Sequence, residues 1–500
     1  MAITLLGVAY RVYAFVFPAS LMSFDPSKMA VMSQSIIVKE DLSGLVPNFY
    51  SEAAGFQILG SVTSLASGLP VDDAYVAFPL VAGVVMPLFV GSITRHITHS
   101  DDAALVSVAL SSVAGSSFRF AVAPIPLLMA SIFVVGFVLI LIISDVAPRR
   151  RHTVLLITFL AAATITHKLP IMLILGGVTT YVIYTVIVAR VDKSVSYRLR
   201  LPMVALPFVF LVFQWVMYTQ FFDSALLLGL ELIGNEGLLP KFTGGVSSPS
   251  AAAKLSPSFY DSLLNFLYLP LTVTVAALAG ALLFRKYSED RIRALQAFAL
   301  VTVGFTGMAL LSSNPSLLRL FVYGTTFCSI LVGVFYAQLA NSSVSLLGVG
   351  KVALVVVLIV TNLMSPVVWP DSSNSFRNYL DQTEVEAKQF TDNRATSTVY
   401  ADPYYKFKMV SYEYDGSAKK IKQLGIPTWN LYGNGYLYSE LLNGNFSGKK
   451  YETVALRTSV DIFWIINGQY RLNWDPEAEL SRTHSSVYDN GNVVVFNNVD

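Results

Sequence analysis

The chain has 500 residues, of which 54% are hydrophobic and only 13% charged, and its mean hydropathy is +0.58. Soluble domains carry roughly 25% charged residues, so this composition excludes a soluble globular protein and puts most of the chain in lipid. The net charge of +2 gives no reason to expect nucleic acid or a strongly acidic partner, and the single cysteine, Cys328, excludes an intrachain disulfide.

A helix needs about 20 apolar residues to cross a hydrocarbon core of about 30 Å. Such runs fall near residues 2–22, 72–94, 103–118, 124–144, 153–166, 170–189, 201–220, 262–284, 294–312, 317–339 and 351–369, which predicts about 11 transmembrane helices. The runs at 103–118 and 153–166 are short. The first run lacks a basic leader and a small-residue cleavage site, so it reads as a retained span. Arg149, Arg150 and Arg151, the segments 190–200 and 285–293, and Arg95 and Lys351 mark one face as cytoplasmic. The N-terminus then lies inside and the C-terminus outside, as in a multi-pass plasma-membrane protein.

The sizeable loops gather on the outer face: segment 23–71, short turns near Arg119, Lys168 and Arg319, loop 221–261 and the tail from residue 370. Within the first outer segment, residues 26–39 and 51–68 space their apolar side chains as helices do (Met29, Met32, Ile36, Ile37; Phe56, Leu59, Val62, Leu65), which predicts two amphipathic helices at the interface. The composition changes at Pro370. Beyond it come helix-compatible residues 384–390, strands at 397–401 and 462–466, and a hairpin turning at Asn490-Gly491 with its return strand at 493–496. The expected fold class is an α-helical polytopic membrane domain, residues 1–369, followed by a small extracytoplasmic α/β domain, residues 370–500.

Polar residues at the outer boundary are the candidates for chemistry. Asp25 follows the first span in Ser23-Phe24-Asp25-Pro26; it reads either as a helix cap or as a carboxylate that accepts a proton from a hydroxyl. Glu52 opens the second interfacial helix, where a carboxylate also complements the helix dipole. Arg11 lies inside the first span, which requires a polar cavity, a partner or escape to the surface, unless the true start lies upstream. His167 and Lys168 stand in the turn Thr166-His167-Lys168-Leu169-Pro170, where Lys168 is either a snorkelling anchor or part of a site. Arg119 and Arg319 run against the positive-inside tendency, and a guanidinium suits a lipid phosphate as well as a headgroup or an acidic neighbour. No histidines or carboxylates stand at metal-ligand spacing on this face, which argues against a zinc site.

Together these features resemble the GT-C superfamily of integral-membrane glycosyltransferases, especially its archaeal members. The likeness rests on Arg11, Asp25-Pro26 heading a two-helix outer loop, Tyr50-Ser51-Glu52 before an apolar helix, Thr166-His167-Lys168, Arg319 at the end of a late span, and the outer α/β tail. The resemblance implies inverting transfer of a sugar such as mannose from a polyprenyl (dolichyl) phosphate to a glycan or lipid-linked acceptor. It makes Asp25 the base and Arg319, with Lys168 or His167, the phosphate site. Asp25 lacks the DxD or DE pair of many relatives, which argues against dependence on a divalent metal, and no other cofactor is implied. Trp429-Asn430-Leu431-Tyr432-Gly433 lacks the aspartate and second tryptophan of the oligosaccharyltransferase signature WWDYG, which disfavours whole-glycan transfer. A flippase or transporter of lipid-linked sugar is the competing class. It should show internal repeats and polar residues at mid-membrane, and neither is evident.

Overall fold

The computed structural model describes residues 25–42, 54–114, 124–144, 150–192, 201–218, 252–255, 267–283, 289–311, 320–340, 345–367, 379–395, 398–402, 437–446, 451–460, 462–465 and 468–498, with a few single residues and pairs elsewhere, Arg11 among them. Among these residues two helices lie between residues 25 and 67, α1 (Asp25–Lys39) and α2 (Gly55–Ser67). Ten more follow: α3 (Val71–Thr98), α4 (Asp101–Val113), α5 (Pro126–Ile143), α6 (Arg150–Thr166), α7 (Lys168–Val191), α8 (Leu201–Met217), α9 (Tyr268–Leu283), α10 (Asp290–Leu311), α11 (Phe321–Ala340) and α12 (Ser345–Val367). Each apolar run from residue 72 onward coincides with one of these. Among the described residues α3, α5, α7 and α11 are long and apolar enough to cross a membrane, and α8, α9 and α12 contain shorter apolar stretches.

Helices that are apolar all round belong inside a bundle. α5 and α11 fit that rule, burying Val134, Val135, Val138 and Ile142, and Val322, Phe327 and Ile330, respectively. α8 and α12 instead expose Phe208, Val209, Phe213 and Val216, and Val352, Val356 and Val360. Large apolar side chains turned outward on this scale are the surface a helix offers to lipid. Where helices approach closely, small residues meet. A Cβ on Gly333 of α11 would overlap the Ser107 hydroxyl of α4. That hydroxyl donates to Ser329 O at 3.0 Å and accepts from Thr94 of α3 at 2.9 Å.

The tail forms two sheets. One is the four-stranded order β2-β3-β7-β6, built from β2 (Val399–Ala401), β3 (Thr453–Arg457), β6 (His484–Asp489) and β7 (Val493–Asn498). β2 and β3 run parallel, and the other pairs are antiparallel. Period-two alternation sends Val454, Leu456, Val494 and Phe496 into one core and Ala455, Val493 and Val495 into another. Helix α13 (Gln382–Arg394) packs on β7, opened by a capping box between Asp381 and Glu384. The expected hairpin around Asn490-Gly491 is present as β6 and β7.

The second sheet contains a strand that the sequence reading did not anticipate. β1 (Ala252–Leu255), from the loop between α8 and α9, pairs antiparallel with β5 (Gly468–Leu472), which pairs with β4 (Ile462–Ile465). That loop is therefore stitched into the tail by four residue pairs, from Ala252↔Leu472 to Leu255↔Gln469.

The tail also holds a buried ion cluster. Arg457, at the end of β3, donates bidentately to Asp402 at 2.9 and 2.7 Å and lies 3.7 Å from Glu384. Asp402 also accepts from the Tyr404 and Tyr405 amides. Burial disfavours the guanidinium charge, but Asp402 and Glu384 outweigh it and hold the Arg457 pKa above its ordinary value. Removing one member of such a cluster strands the others. Arg457→Met is expected to destabilise the tail by about 3–5 kcal/mol, read as faster proteolysis of the tail in full-length detergent-solubilised protein. Unchanged protease resistance would contradict this account.

Candidate active site

α6 and α7 are separated by a single residue, His167, whose extended backbone (φ −158°, ψ 149°) breaks the helical run. Its amide still donates to Ala163 O at 3.3 Å, closing the last turn of α6. Its Nδ1 accepts from the Leu169 amide at 3.2 Å, capping the first turn of α7. A neutral imidazole that accepts at Nδ1 carries its proton on Nε2, so the other ring nitrogen is a donor. Pro170 adds a fixed φ in the first turn of α7, where a missing N–H costs nothing. His167 is buried at 1% exposure, and Lys168 beside it is half-buried.

The start of α2 lands on this turn. α2 begins at Gly55, where an added Cβ would stand 2.6 Å from Ile165 O and 2.9 Å from Ile165 Cγ1. Only a residue without a side chain lets the start of α2 rest directly on the end of α6. Glu52 is three residues before Gly55 and lies outside the described residues. Gly55 and Ile165, 110 residues apart in sequence (165 − 55), thus meet where α2 starts and α6 ends.

α1 and α2 are fixed to α3 by a buried polar hub. Ser33 Oγ donates to Gln57 O at 2.7 Å and, with that proton committed, accepts from the Tyr75 hydroxyl at 2.7 Å. Ser61 Oγ reaches Ser33 O and Gln57 O, both at 2.9 Å. Gln57 Nε2 reaches Met29 Sδ at 3.0 Å. Tyr75 packs edge-on against Phe56 and Phe78, with centroids 5.4 and 5.3 Å away. A Cβ on Gly60 would overlap the Tyr75 ring. Asp25 is the first residue of the helix so anchored, at the end where the dipole favours negative charge; its side chain lies outside the described residues.

α2 buries Phe56, Gln57, Gly60, Ser61 and Ser64 and turns Val62 and Leu65 outward, at 54% and 67% exposure. Close helix contact selects its small and polar residues, which leaves the apolar stripe Ile58, Val62 and Leu65 on the outside. Arg11 neither snorkels nor lies exposed. At 3% exposure it donates to Gly7 O at 2.9 Å and Ser112 O at 3.0 Å, and its Cδ lies where a Cβ on Gly83 would come within 2.7 Å. It ties the first span to α3 and α4. Arg119, Arg319 and the Trp429-Asn430 segment lie outside the described residues. His96, His99 and His152 sit at the opposite ends of α3 and α6 from Asp72 and His167.

These elements define a polytopic helical membrane protein with two packed loop helices and a small sheet domain. No protein-family model matches the chain, and no curated protein matches it. Among solved structures it is similar to ArnT from Cupriavidus metallidurans in the apo state, at 14% identity and a TM-score of 0.50, over 99% of this chain and 97% of that one. ArnT from the same organism bound to undecaprenyl phosphate is similar at 12% identity and a TM-score of 0.48, over 99% and 98% of the two chains. The arabinofuranosyltransferase AftD from Mycobacteria is similar at 10% identity and a TM-score of 0.47, over 99% of this chain and 40% of that one. The chain has an ArnT-like fold.

If the Gly55 contact holds α2 on α6, Gly55→Ala forces the Ile165 backbone to move and should destabilise the protein by about 1–3 kcal/mol. Gly280→Ala on α9, where an added Cβ meets nothing, should leave stability equal or slightly raised. Thermal unfolding of the two purified variants checks the difference, and equal melting temperatures would contradict it.

Proposed function

We propose that this chain is a glycosyltransferase that moves a single sugar, a hexose such as mannose, from a polyprenyl (dolichyl) phosphate to a glycan or lipid-linked acceptor on the outer face of the membrane. The observation that carries this reading is the Gly55–Ile165 contact, which joins the loop helices to the His167-Lys168 turn. The start of α2 and the α6–α7 turn meet there, and the ArnT-like fold supports this use of them.

The chemistry assigns the roles. Asp25 accepts the proton of the acceptor hydroxyl as its oxygen attacks the anomeric carbon. The bond from that carbon to the phosphate oxygen breaks, configuration inverts, and the lipid phosphate leaves with the added negative charge. Lys168 and the Nε2–H of His167 are the groups assigned to offset it, and the sequence resemblance assigns Arg319 and Arg119 to the same task. Glu52 is the second carboxylate available to the acceptor. Arg11, held by two backbone carbonyls, braces the first span under this reading. The basic loops at the other helix ends keep that face cytoplasmic, so donor and acceptor meet on the outside.

The test is transfer of radiolabelled hexose from polyprenyl phosphate to a lipid-linked glycan by purified protein in lipid. Transfer by the native chain and a fall of about 10²–10⁴-fold in a folded Asp25→Asn variant is the expected result. Transfer that survives in Asp25→Asn reduces Asp25 to a helix cap and moves the base to Glu52. No transfer with intact native protein overturns the reading and favours translocation of a lipid-linked sugar, which vesicle assays would then detect.

A further inference from the structure

Gln214 is a fully buried polar side chain on the packed face of α8, in line with Leu211, while the opposite face of that helix is apolar and exposed. α8 exposes Phe213 on one side of it and Val216 on the other, yet Gln214 itself is 0% exposed. Its Nε2 donates to Thr164 O at 2.6 Å and to His167 O at 3.3 Å. Both acceptors belong to the break between α6 and α7. Two carbonyls require the NH2 end of the carboxamide to face the turn, which settles its orientation.

A helix that ends inside a membrane domain leaves carbonyls without intrahelical partners, and lipid supplies none. Ala163 O is served by the His167 amide and Ile165 O lies under Gly55. Thr164 O and His167 O are served from a third helix, by Gln214. The turn is thus gripped from two sides, by α2 and by α8. The opposite end of the carboxamide, Oε1, is buried and has no hydrogen-bond partner among the described residues. The donor end of this side chain is the end that the structure uses.

We propose that Gln214 is a positioning residue for the donor-phosphate end of the site: its grip on the Thr164 and His167 carbonyls sets the direction in which His167 and Lys168 meet a polyprenyl phosphate. The proposal rests on the glycosyl-transfer reading above, and on its placement of the lipid phosphate at this turn. Gln214 touches no substrate itself. Its loss lets the one-residue break rotate, which disperses the two phosphate-facing groups without removing either.

The test is binding of radiolabelled polyprenyl phosphate to full-length protein in lipid nanodiscs, alongside donor kinetics. Native protein should bind. Gln214→Leu, which removes both hydrogen bonds, should bind about tenfold more weakly and raise the donor KM more than it lowers kcat. Gln214→Glu, protonated in this buried position, retains one donor toward Thr164 O and should recover most of the affinity. If Gln214→Leu fails to fold, Gln214→Asn takes its place, because it keeps the amide but falls one methylene short of both carbonyls. Affinity equal to native in a folded Leu or Asn variant overturns the role of Gln214 while leaving the glycosyl-transfer reading intact. A native protein that binds no polyprenyl phosphate overturns that reading, and this role with it.

Discussion

The cost of an unsatisfied backbone group in lipid is the constraint on which the rest of this structure depends. Uninterrupted helices meet it within themselves, and their hydroxyl residues follow suit. Thr302, Thr306, Thr325, Thr326 and Ser329 each donate to a carbonyl four residues back. The difficulty arises only where a helix stops short of water. At His167 the chain breaks for one residue and resumes, and nearly every polar contact around it answers that break. The His167 ring caps α7, its amide closes α6, and a buried carboxamide from α8 takes two of the carbonyls.

Under the proposed function that rigidity has a use beyond stability. A phosphate leaving group gains from positive charge that is already in place, since donors that reorient during the reaction lose much of their advantage. A lysine on a loose loop would have to be ordered at each turnover. Lys168 instead begins a 24-residue helix whose first turn is capped by its neighbour. The loop helices are held in the same manner, through Ser33, Gln57, Ser61 and Tyr75. The tail is tied down twice, by its continuation from α12 and by β1. The strand places the loop after α8 and the tail in one sheet.

Much of this was legible in the sequence. The apolar runs from residue 72 onward predict the helices because lipid imposes a length and a composition that few other environments require. The hairpin was equally plain, since an Asn-Gly dipeptide between alternating apolar residues signals a turn, and the register centres that turn on Gly491 and Asn492. The contacts that build the site were not legible. Gly55 and Gly60 are ordinary glycines until the partner helix is known, and Gln214 is a single polar residue in an apolar run. Neither pattern states what lies opposite. β1 was missed for a similar reason: Ala252, Ala253, Lys254 and Leu255 make a weak strand signal, and the pairing with residues 469–472 bridges more than 200 positions. Arg457, Asp402 and Glu384 likewise meet only in the folded tail.

Under the proposed function the α6–α7 turn, against which α2 starts, receives a polyprenyl phosphate. A photoreactive polyprenyl-phosphate probe, cross-linked to the full-length protein in lipid and mapped by peptide mass spectrometry, tests it most directly. The account predicts labelling of peptides that contain residues 52–57 and 164–170, reduced by unlabelled polyprenyl phosphate. Labelling confined to the cytoplasmic loops or the lipid-facing side of α8, unaffected by the competitor, would contradict it.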